Sequence, residues 1–411
     1  MTTTALASIR VGRESKGWTQ QELADAIARA AWDQDRRQVG VNADMVSKWE
    51  RAAKAPSPFY RRLLSAVLDT VDVGRALQLT ESFGPPVDTA CDSPAEVAER
   101  MAWLASSPTS VEQLNALESF VDVVVDEYET AGPSQLIGRL TRHRRQIEQQ
   151  LRTPQPPGPR QRLFRVAGRL SGLLGYMSVN LGRFKLADAY CAEAFALAGY
   201  ADDPELQAWS RGTASLSAYY AGDYRAALAT AEDGQRYARG GPQAIRLGIN
   251  GEARALARLG DGRGARHAVD LAYAAASRGD TSPGITSCIS FGAYGQARTA
   301  ANAVTVFVDL RDHAEVEQHA AAALPACEAS DSVWSQSLVR LDVARSLIQT
   351  AHPQVERASA LVSEALTISA EKPITSVVQR SSDFLASASR FGPLPELNKL
   401  ASTLSLVSAR K

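Results

Sequence analysis

Apolar residues in this chain recur at spacings of three and four. No stretch alternates apolar with polar positions over a strand's length, so the pattern predicts an all-α protein. Near the start the pattern breaks into four short helices. The first is expected over Leu6–Lys16 and stops at Gly17, a residue type favoured just past a helix end. The second opens at Thr19-Gln20-Gln21-Glu22, a capping box: Thr19 accepts from the Glu22 amide and Glu22 reaches back to the Thr19 amide. Leu23 and Ile27 then face inward, and Ala24 is small where another helix must cross. The third helix follows Asn42, a good N-cap, with Val46 and Trp49 anchoring one face. Ala43, Asp44, Ser47, Lys48 and Arg51 are left on the other. The fourth opens at Ser57-Pro58, a cap followed by proline at the first helical position, and closes the bundle with Phe59, Leu63, Leu64, Val67 and Leu68.

Beyond this bundle, Gly84-Pro85-Pro86 and Asp92-Ser93-Pro94 mark a linker, and the chain then becomes Ala/Leu-rich and helical to its end. The expected organisation is a bundle over residues 1–72, a linker over 73–95 and a helical repeat domain over 96–411. Turns at Leu181-Gly182-Arg183-Phe184, Ala221-Gly222-Asp223-Tyr224 and Leu259-Gly260-Asp261-Gly262 place their first glycines 40 and 38 residues apart. Small residues recur at fixed offsets after each turn: Ala187 and Ala194, Ala227 and Gly234, Ala265 and Ala272. Small side chains there let antiparallel helices approach closely. The unit resembles the tetratricopeptide (TPR) repeat, with Leu174-Gly175 matching its first-helix signature and a spacing longer than that family's 34 residues. The resemblance implies an α-solenoid of TPR-like helix pairs that must stack to bury their apolar faces. Degenerate copies are expected around Val304–Leu324 and Leu338–Ile368, with Val377–Val407 as a cap.

Composition narrows the function classes. The 411 residues carry 45 basic and 45 acidic side chains, so a generally basic nucleic-acid coat is excluded. Local charge differs: between Arg36 and Arg62, seven basic side chains meet only Asp44 and Glu50. A basic patch on a neutral chain suits a module that reads DNA. The mean hydropathy of −0.19 and the lack of any run of about 18 apolar residues predict no membrane span, and hence a cytoplasmic location. The N-terminal Met1-Thr2-Thr3-Thr4-Ala5-Leu6 meets Arg10 and Arg13 too soon to form a secretory signal. Cys91, Cys191, Cys288 and Cys327 are far apart and form no CxxC pair, so reduced core thiols are expected.

The bundle's motifs carry a second resemblance. Trp18-Thr19-Gln20-Gln21-Glu22-Leu23-Ala24, Val46-Ser47-Lys48-Trp49-Glu50-Arg51 and Pro56-Ser57-Pro58 resemble the phage-repressor/Cro (XRE) helix-turn-helix family over about 60 residues. That resemblance implies phosphate contacts from Thr19 and Gln20 and base contacts from Ala43, Asp44, Ser47 and Lys48. It also implies an arginine–glutamate pair between the first and third helices, here Arg13 and Glu50. The candidate DNA-binding set is Thr19, Gln20, Arg36, Arg37, Asn42, Ala43, Asp44, Ser47, Lys48 and Arg51. Lys48 suits guanine, and Asp44 suits a cytosine amine while repelling phosphate. The family's tight turn is replaced by Trp32-Asp33-Gln34-Asp35-Arg36-Arg37-Gln38-Val39, whose arginines suit phosphate.

The two-part layout is similar to the actinobacterial XRE-TPR regulators and to the peptide-sensing RRNPP regulators. It implies a concave face, formed by the first helix of each repeat, that takes a peptide, a small molecule or a protein segment. The inward positions carry Tyr176, Asn180, Trp209, Tyr219, Asn250, Arg254, Arg298 and Asn302. Asparagine satisfies both a peptide N–H and a C=O; the same residues also suit helix packing and capping. The arginine-rich stretch Arg139–Arg165 reads either as a solvated helix face or as a flanking DNA contact. Enzyme patterns fail: Gly260-Asp261-Gly262-Arg263-Gly264 has neither a preceding strand nor a following Lys-Ser/Thr, and His313 and His319 lack metal-site spacing. No catalysis, metal or cofactor is expected. The leading expectation is a transcription regulator that binds double-stranded DNA as a homodimer; the alternative is a protein-interaction scaffold with a degenerate helix-turn-helix.

Overall fold

The computed structural model describes residues 3–51, 53–68, 97, 109–278 and 284–409. Among these residues no strand occurs, and the fold is all-α. The chain divides into two compact units, Met1–Glu99 and Arg100–Lys411. The linker expected over 73–95, and Cys91 within it, lie outside the described residues.

The first unit contains α1 (Thr3–Ser15), α2 (Gln20–Asp35), α3 (Ala43–Glu50) and α4 (Pro58–Leu68). Ile9, Leu23, Ile27, Val46, Trp49, Leu63 and Leu64 form its core. The turn after α1 needs Gly17, which sits at φ 67°, where a side chain would be strained. The Thr19–Glu22 capping box is formed in both directions. One boundary differs from expectation. Trp32–Asp35, assigned above to the connection, continue α2. The alanines before them favour helix and nothing breaks it until Arg36, whose backbone turns to φ 53°. The connection to α3 is therefore only residues 36–42.

The second unit is an α-solenoid of helix pairs. It opens with α5 (Val111–Ala131) and α6 (Pro133–Leu151). Three pairs follow: α7 (Pro157–Asn180) with α8 (Phe184–Tyr200), α9 (Pro204–Tyr220) with α10 (Tyr224–Ala238), and α11 with α12 (Gly262–Ala276). Helix α11 is composite: Pro242–Arg246, a π-helical turn over Leu247–Glu252, then Ala253–Leu259. The remaining pairs are α13 (Gln296–Asp309) with α14 (His313–Glu328), α15 (Val333–Leu347) with α16 (Val355–Ile368), and α17 (Thr375–Ala388) with α18 (Pro395–Ala409). Gly182, Gly222 and Gly260 hold the first three turns with φ between 71° and 87°. In the fourth pair Arg311 takes the same left-handed role at φ 57°. That explains why glycine spacing alone reveals only three repeats.

Small residues set how closely the helices approach. A Cβ on Gly172 of α7 would lie 2.7 Å from the Trp209 ring of α9, and one on Gly234 of α10 would lie 2.6 Å from Leu247. The first helices of the pairs line the inside of the solenoid, and the chain closes that inside with its own parts. Thr375 Oγ1 of α17 donates to the Asn180 carbonyl at 2.9 Å, and Tyr128 of α5 packs between Trp334 and Tyr176. Residues 284–295, between α12 and α13, lie across the same face. No helix among the described residues is long and apolar enough to cross a membrane.

Candidate nucleic-acid interface and inner cavity

In the first unit, α3 is held from behind. Val46 is 0% and Trp49 2% exposed, and burying such side chains contributes roughly 1.5–3 kcal/mol each. Trp49 packs against Tyr60 of α4, ring centroids 5.2 Å apart. Asn42 Oδ1 caps the helix by accepting from the Met45 amide at 3.0 Å. A polar clamp fixes its C-terminal end. Arg13 Nε donates to Glu50 Oε1 at 2.6 Å, and Arg13 Nη1 donates to the Trp18 carbonyl at 2.6 Å. Gln20 Nε2 adds a bond to Glu50 Oε2 at 2.7 Å. Three helices thus converge on one buried carboxylate.

The outer face of α3 carries Ala43, Asp44, Ser47, Lys48 and Arg51, of which Asp44, Lys48 and Arg51 are exposed. Lys48 Nζ donates to Asp44 Oδ2 at 2.6 Å, a pair one helical turn apart. Arg51 Nε turns back to the Ser47 carbonyl at 3.3 Å. Beside this face, Thr19 is engaged in its capping box and Gln20 with Glu50. Arg36 and Arg37 are exposed, and the Arg37 guanidinium stacks 4.8 Å from the Phe59 ring centroid.

The basic stretch Arg139–Arg165 is largely neutralised within the second unit. Arg139 pairs with Glu127, Arg144 with Glu193, Arg152 with Glu148, Arg162 with Glu118, and Arg165 with Asp203. Arg142 and Arg145 instead line an open groove between α6 and α8, together with Arg183 and Tyr190.

Inside the solenoid, Tyr176, Asn180, Asn250, Arg254, Arg298 and Asn302 line one cavity of about 60 Å³. They come as pairs four residues apart on α7, α11 and α13, so each pair projects from one helix face. Asn180 donates to the Tyr128 hydroxyl, Asn250 accepts from Arg254, and Asn302 Nδ2 donates to the Arg298 carbonyl at 2.9 Å. Trp209 lies just outside this wall, its indole N–H donating to the Ser290 carbonyl at 2.9 Å. Tyr219 lines a neighbouring cleft of about 30 Å³. The wall also holds Tyr220 and Arg380, which the sequence reading did not single out. Arg254 Nη2 and Arg380 Nη2 donate to the Tyr220 hydroxyl at 3.3 and 3.2 Å. Burial raises the Tyr220 phenol, but the Arg380 and Arg254 guanidiniums outweigh it and bring the group down to about 8.

Residues 284–295, which turn at Cys288–Ile289, contact residues of the inner helices. Gln243 Nε2 donates to the Phe291 carbonyl at 2.8 Å, and Arg298 Nε to the Thr286 carbonyl at 2.7 Å. Ile289 is fully buried against the inner helices. Cys191, Cys288 and Cys327 are free thiols, and burial pushes Cys191 and Cys288 up to about 12. Neither the protein-family models nor the curated proteins give any match to this chain.

Proposed function

We propose that this chain is a sequence-specific, DNA-binding transcription regulator of the phage-repressor/Cro type. Its TPR-like repeat domain senses a ligand and pairs two copies. The observation that carries this reading is the outer face of α3. Ser47, Lys48 and Arg51 stand outward on a helix pinned behind by Val46, Trp49 and the Arg13–Glu50 clamp. Such a helix suits the major groove, with Lys48 as the guanine contact and Ser47 and Asp44 beside it. Arg36, Arg37 and Thr19 supply phosphate contacts at its flanks. One such module offers few base contacts, and a two-fold operator read by a homodimer multiplies them.

A second reading, a protein-interaction scaffold, is favoured by one observation: the Asp44–Lys48 pair partly neutralises the reading face. Gel shifts of full-length protein with the promoter of its own or a neighbouring gene separate the two. A sequence-specific shift lost in Lys48→Ala/Arg51→Ala supports the regulator. Salt-sensitive, sequence-independent binding together with a recovered protein partner supports the scaffold.

A further inference from the structure

Two guanidiniums in the inner cavity have buried donors with no partner. Arg254 is 2% and Arg298 7% exposed. Arg254 Nε and Arg298 Nη2 make no hydrogen bond. Neither arginine pairs with a carboxylate: Arg254 bonds only Asn250 and Tyr220, and Arg298 only the Thr286 carbonyl and the Ser335 hydroxyl. Arg380, also on the wall, has the Asp342 carboxylate as counter-ion. Among the described residues no Asp or Glu lines the cavity. Glu129 stands behind the wall, where it accepts from Ser287, Cys288 and Ser332 and its charge favours the Arg298 guanidinium, but it bonds neither arginine.

Buried charges with spare donors are costly unless an opposite charge satisfies them. Planar guanidiniums with open N–H groups match the oxygens of carboxylate and phosphate. Size narrows the class. A cavity of about 60 Å³ has room for roughly four waters, or one anion of a few heavy atoms. It has no room for a peptide, whose place on the inner face is taken by residues 284–295.

We propose that this cavity is a binding site for a small carboxylate or phosphate anion, held between Arg254 and Arg298 with Asn302 at its rim. The proposal rests on the sensing role given above to the repeat domain. Arg380 first and Arg254 second hold the Tyr220 phenol low, so an anion on Arg254 would raise it part of the way back.

The test uses the full chain in chloride buffer of fixed ionic strength, with inorganic phosphate and malonate as separate probes. Two readouts apply: melting temperature, and tyrosinate absorbance between pH 7 and 9. One probe should raise the melting temperature saturably, by at least about 3 °C over matched chloride. Which probe does so distinguishes phosphate from carboxylate. Arg254→Met and Arg298→Met should abolish the rise, and Arg236→Met, an exposed site on α10, should keep it. If the first two fail to fold, Asn302→Asp, which puts a like charge at the rim, should also abolish it. In wild type the tyrosine titrating near 8 should move upward with the anion bound. No rise with either probe, a rise kept in the folded cavity variants, or an unmoved tyrosine overturns the proposal. Neither readout needs DNA. A chain that responds to the anion but shifts no promoter loses the regulator reading and keeps the site; the reverse result keeps the regulator and removes the site.

Discussion

Arg13 of α1 and Glu50 at the end of α3 form a nearly buried ion pair, with Nε to Oε1 at 2.6 Å and the Glu50 side chain 4% exposed. The same carboxylate accepts from Gln20 at the start of α2. The pair fixes the angle at which α3 leaves the bundle. Removing Glu50 leaves Arg13, 12% exposed, with only the weaker pair to the half-exposed Glu14. Glu50→Ala should therefore destabilise the first unit by about 3 kcal/mol, and Glu50→Gln by less, because the amide still accepts from Arg13. Urea unfolding followed by Trp49 fluorescence checks this. A loss under about 0.5 kcal/mol, the level of an exposed pair, would contradict it.

Asp44 offsets the positive charge of Lys48 and Arg51 on the outer face of α3. Its pair with Lys48 is exposed and lies within one helix, so it contributes only about 0.3–0.5 kcal/mol and breaks readily. In the proposed regulator its larger effect would be repulsion of phosphate. Asp44→Asn should strengthen promoter binding several-fold and steepen the dependence of log K on log salt by about 0.9. Anisotropy titrations at three salt concentrations measure both. Weaker binding with an unchanged slope would instead mark Asp44 as a direct acceptor from a cytosine amine.

His319 of α14 gives the repeat domain a pH dependence. Its ring lies between Phe307 and Tyr273, centroids 5.0 and 5.3 Å away, and Nδ1 meets the Tyr273 hydroxyl at 2.8 Å. Burial holds the imidazole below its usual 6.5, against the opposing pull of Glu315 and Asp270. The unfolded chain therefore binds a proton at a pH where the folded chain does not. The resulting stability is present above 6.5 and is lost as pH falls through 6.5 toward the lower folded value. Between pH 7.5 and 5, wild type should lose more unfolding free energy than His319→Phe. Denaturation curves at the two pH values test this, and parallel losses would refute it.

Local signals in the sequence were legible because each depends on a few adjacent residues. The Thr19–Glu22 box, the Asn42 cap and the left-handed glycines after α7, α9 and α11 all formed where expected. The inner-face residues were expected from the resemblance to helix-pair repeats, and six of the eight, Tyr176, Asn180, Asn250, Arg254, Arg298 and Asn302, share one wall, whereas Trp209 and Tyr219 do not. Other features needed distant chain. Arg380 reaches the cavity only because α17 folds back against α7 and α9. Residues 284–295 have no period, and their place shows only in three dimensions, through the buried Ile289 and the carbonyl contacts from Trp209, Gln243 and Arg298. Tyr220 was passed over for its neighbour Tyr219, although one position along a helix is a rotation of about 100° and both rings reach inner clefts. The Asp44–Lys48 pair was within reach of the i, i+4 rule, yet each residue was weighed as a separate base contact.

The proposed regulator depends on α3 reading DNA. Its most direct measurement is fluorescence anisotropy of full-length protein on a labelled promoter fragment from its own gene, against a scrambled fragment at physiological salt. Binding to the promoter should be at least about a thousandfold tighter, and Lys48→Ala/Arg51→Ala should reduce it to the scrambled level with the fold intact. Equal affinity for the two fragments, or a double variant that keeps its preference, would contradict it.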